Sequence, residues 1–231
     1  MDSAVILSSG GINGAVAAAV AREQYELALL HVTWGHRAAE RELIAFEQLA
    51  AATKPKQTSI VELSSLAAFG GNARISRRIP IEQASTLGGD TPNTFMLGLT
   101  PTLLSLGTAW AGSIGAKRIF IGTSENHGVS GPAIGQLYPD HRSVFLAAFN
   151  LMLQHAKPTK RELIVTAPLL DLTKTEVIQL GRQLKVPFEH TWSCYAGNER
   201  PCDHCLSCTT RAAAFLQTGQ PDPLPTEPVN A

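Results

Sequence analysis

The chain reads as an α/β protein, a doubly wound parallel sheet followed by a small cysteine knuckle near the C-terminus. Three observations predict this. Apolar runs of strand length alternate with helix-forming segments through most of the 231 residues. A serine–glycine turn, Ser8-Ser9-Gly10-Gly11, directly follows the first such run, and all four cysteines fall within residues 194–208. Alternating strands and helices are the pattern of a parallel sheet covered on both faces.

Composition sets the bounds. Hydrophobic residues make up 44% of the chain and charged residues 16%, which suits one large domain with a small appendage. The 19 basic and 19 acidic side chains cancel, which argues against broad electrostatic binding to nucleic acid or an anionic membrane. No apolar run reaches membrane-spanning length and the N-terminus lacks a signal-peptide pattern, so a soluble cytoplasmic protein is expected.

In chain order, residues 4–7 form the first strand and residues 15–22, rich in alanine, the first helix. Between them lie Ser8, Ser9, Gly10, Gly11, Asn13 and Gly14. A strand, a glycine turn and a helix start present free backbone N–H groups to a phosphate, and side chains at the glycines would hold the backbone away from it. An ordinary βα turn is the alternative. Residues 27–32 read as a second strand, 38–52 as an amphipathic helix and 57–63 as a third strand. The connection to about residue 100 carries no clear signal. Pro101 is placed to open a helix over 101–114, and residues 117–122 form a buried strand. Ligands in such folds sit at the carboxyl ends of strands, which places residues 8–14, 33–37 and 122–142 on one rim. The last of these is a long polar loop containing Ser124, Glu125, Asn126, His127, Tyr138, Asp140, His141 and Arg142.

Residues 143–155 form a helix and 163–166 a strand. Thr173 and Glu176 make a capping box for a helix running to about residue 185. Lys174 then falls in its first turn, where the helix dipole disfavours a cation. A bound anion explains that placement; a solvated lysine is the alternative. The cysteines Cys194, Cys202, Cys205 and Cys208 lie in turn-rich sequence with two overlapping C-x-x-C steps. Four thiolates fill a tetrahedral Zn²⁺ shell and leave no position for water, so a structural zinc site is favoured over two disulfides or unrelated thiols. Residues 205–217 form a last helix, and the proline-rich residues that follow are expected to be disordered.

Taken together the motifs resemble one family. Ser9-Gly10-Gly11 after the first strand is similar to the pyrophosphate loop of the PP-loop ATPases, Rossmann-like proteins of the HUP type. Within them, residues 4–217 resemble 7-cyano-7-deazaguanine synthase. The matching segments are Tyr138-Pro139-Asp140 with Arg142, Pro168-Leu169, Leu172-Thr173-Lys174-Thr175-Glu176, Thr191-Trp192-Ser193-Cys194-Tyr195 and Pro201-Cys202. The resemblance implies residues 1–190 as the nucleotide-binding domain, 191–217 as a four-cysteine zinc knuckle with the final helix, and 218–231 as a tail. It also implies ATP and Mg²⁺ as ligands, a deazapurine carboxylate as substrate, conversion of that carboxylate with ammonia to a nitrile by way of an adenylate, and a homodimer. Lys174, Arg142 and Asp140 are the candidate catalytic residues; Ser8, Ser9, Gly10, Gly11, Asn13 and Gly14 the candidate nucleotide-binding ones.

The departures cluster at the chemistry. The family's S-G-G-x-D-S has Asn13 at the aspartate and Gly14 at the second serine; D-Y-G-Q-R-H becomes Thr33-Trp34-Gly35-His36-Arg37-Ala38. P-x-R-N becomes Leu97-Gly98-Leu99-Thr100, and His141 replaces a cysteine. Two functions therefore remain: an ATP-dependent ligase in 7-deazaguanine and queuosine biosynthesis, or a diverged binding protein with a repurposed ATP site, of the kind found in antiphage defence. A nucleic-acid-binding zinc knuckle is the least favoured, given zero net charge.

Overall fold

The computed structural model describes residues 1–126, 133–158 and 160–224; His127 and residues 225–231 lie outside them. Five parallel strands form one sheet in the order β3-β2-β1-β4-β5: β1 (Ser3–Leu7), β2 (Glu26–Thr33), β3 (Gln57–Glu62), β4 (Arg118–Ile121) and β5 (Ile164–Thr166). Alternate residues of β1 explain why it reads as an unbroken apolar run. Val5 and Leu7 pack with Leu104, Ile119 and Phe149 on one face, whereas Ala4 and Ile6 pack with Phe46 and Phe120 on the other. Helices α3 (Leu99–Ile114) and α5 (Ser143–Ala156) cover the first face; α1 (Ile12–Ala21) and α2 (Ala39–Thr53) cover the second.

Helix α1 begins at Ile12 rather than residue 15, because Gly11 already supplies the extended N-cap and its carbonyl accepts the first helical bond from Ala15 at 3.0 Å. Helix α3 likewise begins two residues before Pro101, with Gly98 at φ 87° as its N-cap. Proline suits this third position as well, since no N–H of a first turn has an intrahelical acceptor. The capping box of α6 (Lys174–Gln183) is present, with Thr173 and Glu176 bonded reciprocally. Helix α6 packs closely on α1: a Cβ at Gly181 would lie 2.8 Å from a Val16 methyl.

The connection between β3 and α3 forms two 3₁₀ turns, Ser64–Phe69 and Ala84–Thr86. It is pinned by Arg37, whose guanidinium donates to the carbonyls of Ser76 and of Ile79, the latter at 2.7 Å. After β4 the polar loop is partly self-anchored. Ser124 Oγ donates to Leu172 O at 2.6 Å, and Glu125 accepts from the Ser143 N–H at the start of α5. The short helix α4 (Ile134–Leu137) follows. Among the described residues no helix is long and apolar enough to cross a membrane.

Helix α7 (Leu206–Gln217) closes the chain's packing. The expectation of a disordered tail from residue 218 does not hold for residues 219–224. Asp222 accepts two bonds from Arg211, at 2.6 and 2.8 Å, and Arg211 is only 3% exposed. A buried guanidinium needs a carboxylate, and nothing in the tail's composition reveals that Asp222 supplies it. Asp222→Ala is expected to cost about 3 kcal/mol, because it strands that charge. An unchanged urea midpoint would show the tail to be idle.

Candidate functional site

The strand order reverses between β1 and β4, and a cleft of about 350 Å³ opens there at the carboxyl ends of the strands. At one end lie Ser8, Ser9, Gly11, Asn13 and Gly14 with Gly122 and Lys174. The loop geometry depends on glycine twice. Gly10 has φ 82°, and a Cβ there would meet Glu42 O and Phe46 N within 2.8 Å; at Gly122 it would lie within 2.6 Å of the Asn13 and Gly14 backbone. Gly10 itself does not line the cleft; its carbonyl accepts from Trp192 N at 2.9 Å. The buried His31 imidazole bonds the Ser8 carbonyl through Nδ1 at 3.0 Å, bracing the loop from β2. Sequence reading assigned His31 only to a strand.

Lys174 donates to Asn13 Oδ1 at 2.5 Å. Burial pulls its pKa from 10.5 down to about 7, assisted by the nearby Arg211 cation. An amide partner carries no charge to oppose that fall, which is the direct consequence of asparagine at this position. Asp140 and His141 line the cleft, each with a buried, unpartnered atom, Oδ1 and Nδ1. Arg142 does not join them: it is exposed, at the N-cap of α5, away from the cleft lining. Arg37 and Glu125, both on the predicted rim, are spent on scaffold contacts.

The cleft wall also holds Glu42 and Arg74, which the sequence did not single out. Glu42 on α2 accepts from Arg74 Nη2 at 3.1 Å and lies 3.5 Å from His36 Nε2. The Arg74 guanidinium sits 4.8 Å from the Trp34 ring and 5.1 Å from the Tyr195 ring. Tyr195 meets Tyr138 through their hydroxyls at 3.4 Å, and Tyr138 meets Thr94 at 2.8 Å. Burial raises Glu42 to about 7 against the opposing Arg74 charge, and holds His36 down at about 2, hence neutral. Glu42 had no distinguishing signal inside an amphipathic helix, and Arg74 falls in the unassigned connection.

The four cysteines converge as their spacing predicts. Their sulfurs lie within 4.8 Å of one another, none is in a disulfide, and Cys194, Cys205 and Cys208 are buried. The Ala196 and Cys202 amides donate to Cys194 Sγ at 3.4 and 3.3 Å. Tight turns bring the ligands together: Asp203 has φ 59°, and Gly197 has φ 70° with Arg37 O packed where a Cβ would stand. The donor set and spacing fit one metal ion held by four sulfurs, with no open position. Trp192 covers the cluster, donating through Nε1 to Cys194 O at 2.9 Å while its own amide holds Gly10 O. The knuckle and the phosphate-type loop therefore share one residue.

Comparison with known proteins gives concordant results. The family model described as queuosine biosynthesis protein QueC matches residues 3–219. The chain is 36% identical over 222 residues to a 7-cyano-7-deazaguanine synthase of Chlorobium phaeobacteroides (strain BS1), covering 96% of this chain and 95% of that one. It is 34% identical over 226 residues to the synthase of Methanothrix thermoacetophila, covering 96% and 98% respectively. Among solved structures, an NMN synthetase from Francisella tularensis superposes with a TM-score of 0.51 at 15% identity, covering 95% of this chain and 78% of that one, a likeness of fold alone.

Proposed function

The chain belongs to the QueC family of PP-loop ATPases, and from that premise we propose that it activates a carboxylate with ATP and passes the activated group to ammonia. The carboxylate is that of 7-carboxy-7-deazaguanine and the product the nitrile. The carrying observation is the cleft itself, lined by a glycine loop, a buried lysine and further hydrogen-bonding groups. A carboxylate oxygen attacks the α-phosphorus and pyrophosphate leaves. Ammonia then displaces AMP to give the amide, and activation of the amide oxygen in the same manner permits its loss as a second AMP, leaving the nitrile.

The chain's own part is positioning and charge neutralisation. Backbone N–H groups at the start of α1 face the phosphates, as the first turn of any helix leaves them without intrahelical partners. Lys174 adds a side-chain cation, and Asp140 stands at the cleft wall as the candidate acceptor for protons leaving ammonia. Mg²⁺, when bound, neutralises the phosphate oxygens. The metal of the cysteine cluster is Zn²⁺ in this reading, with a structural role. The protein is a homodimer that makes no direct contact with nucleic acid, in keeping with the family resemblance and zero net charge.

One observation favours the second reading, a binding protein without turnover. Asn13 stands where the family resemblance places an aspartate, and Lys174 is left facing an amide. Calorimetry of the zinc-loaded protein with ATP and Mg²⁺, followed by an AMP assay with 7-carboxy-7-deazaguanine and ammonia, separates the two. Heat and AMP support the ligase. ATP binding without AMP supports the binding protein, and no heat at all leaves the phosphate end without a nucleotide.

A further inference from the structure

The cleft wall holds an ion pair that the phosphate chemistry above does not use. Glu42 and Arg74 both line the cleft and are joined at 3.1 Å. The Arg74 Nε is buried with no hydrogen-bond partner, so the pair presents an unmet donor beside a carboxylate. Trp34 and Tyr195 hold the guanidinium by their ring faces, which fixes its plane. Where the family pattern carries an arginine, this chain has Leu99, and Leu99 lines the same cleft. Arg74 comes instead from the connection after β3, and with Lys174 it is one of the two Lys or Arg side chains among the described cleft-lining residues.

We propose that Glu42 and Arg74 form a specificity pair that reads the 2-amino-4-oxopyrimidine edge of a guanine-type ring. The inference rests on the deazapurine reading above. That edge offers two adjacent N–H donors and one carbonyl acceptor. A carboxylate accepts from both donors, and the guanidinium donates to the carbonyl. An adenine-type edge turns a ring-nitrogen lone pair toward the carboxylate and lacks the carbonyl, so the same pair rejects it. His36 is 3.5 Å from Glu42 and uncharged, which leaves Arg74 as the cation that balances the carboxylate.

The test is calorimetry on the full, zinc-loaded chain with three probes: 7-carboxy-7-deazaguanine, its analogue lacking the 2-amino group, and ATP with Mg²⁺. The wild-type protein is expected to bind the analogue about 30-fold more weakly, the scale of a lost charge-assisted hydrogen bond. Glu42→Gln is expected to weaken the guanine-type ligand by a similar factor, bring the two rings within about threefold, and leave ATP within about twofold. Equal binding of the two rings by the wild-type protein overturns the inference, with no variant needed. So does a Glu42→Gln protein that keeps the discrimination, or one that loses ATP instead, which would assign the pair to the nucleotide base. If neither ring binds while ATP binds and another carboxylate yields AMP, the specificity pair fails and adenylation stands. Ring discrimination without ATP binding has the reverse meaning.

Discussion

Lys174→Ala is expected to reduce ATP-dependent AMP formation by at least about 100-fold, about 2.7 kcal/mol of transition-state stabilisation. Among the described residues lining the cleft, the other basic groups are Arg74, paired with Glu42, and His141. The same lysine predicts a pH dependence. Burial holds it near 7 in the free protein, so it is only part-charged at neutrality. A bound triphosphate favours the charged form and draws that pKa upward, so binding takes up a proton. ATP affinity should therefore fall as pH rises above about 7, and titrations in two buffers of different ionisation heat should show proton uptake. Asn13→Asp gives Lys174 a carboxylate at the position where Asn13 Oδ1 now accepts at 2.5 Å. It is expected to keep the lysine charged, abolish the uptake and raise AMP formation at pH 7 about twofold, the gain from completing a half-charged population. AMP formation by Lys174→Ala above a third of wild type, with unaltered ATP affinity, would remove this lysine from the chemistry.

The difference between Lys174 and the Glu42–Arg74 pair shows what a sequence exposes. Lys174 is legible because it breaks a local rule: a cation in the first turn of a helix whose capping box is written in the chain. The cysteines are legible because their spacing is short and their chemistry narrow. The central strands are legible because burial on both faces leaves unbroken apolar runs. Glu42 and Arg74 break no local rule. They lie 32 residues apart, and they meet only because Asn72, Arg37 and Asn93 pin the connection over the cleft. Arg142 illustrates the converse. A motif assigned it to the site, yet its neighbours Asp140 and His141 turn inward while it turns out. Arg142 lies one residue past the 3₁₀ turn Pro139–His141, where the backbone turns extended on its way into α5.

Removal of the cluster metal is expected to have the largest effect on stability, and to reach the Ser8–Gly14 loop of the cleft. Stripping the metal, or Cys194→Ser, should cost more than about 4 kcal/mol, since loss of a metal site belongs to the few single changes of that size. In a chain of this length that lowers the melting temperature by about 10 °C or more. The four thiols are packed within 4.8 Å, and without a cation they cannot all remain ionised. Cys194 is 1% exposed, so the cluster cannot relax into solvent without opening the packing around Ala38, Ala45 and Trp192. Trp192 then carries the disturbance onward, because its amide holds the carbonyl of Gly10 and no side chain can brace that glycine. A protein half-depleted of metal should thus lose ATP affinity in proportion to metal content, below the temperature at which it unfolds. Elemental analysis alongside calorimetry reads both quantities. If ATP binds with full affinity to metal-free, still-folded protein, the knuckle and the loop are energetically independent despite the shared tryptophan.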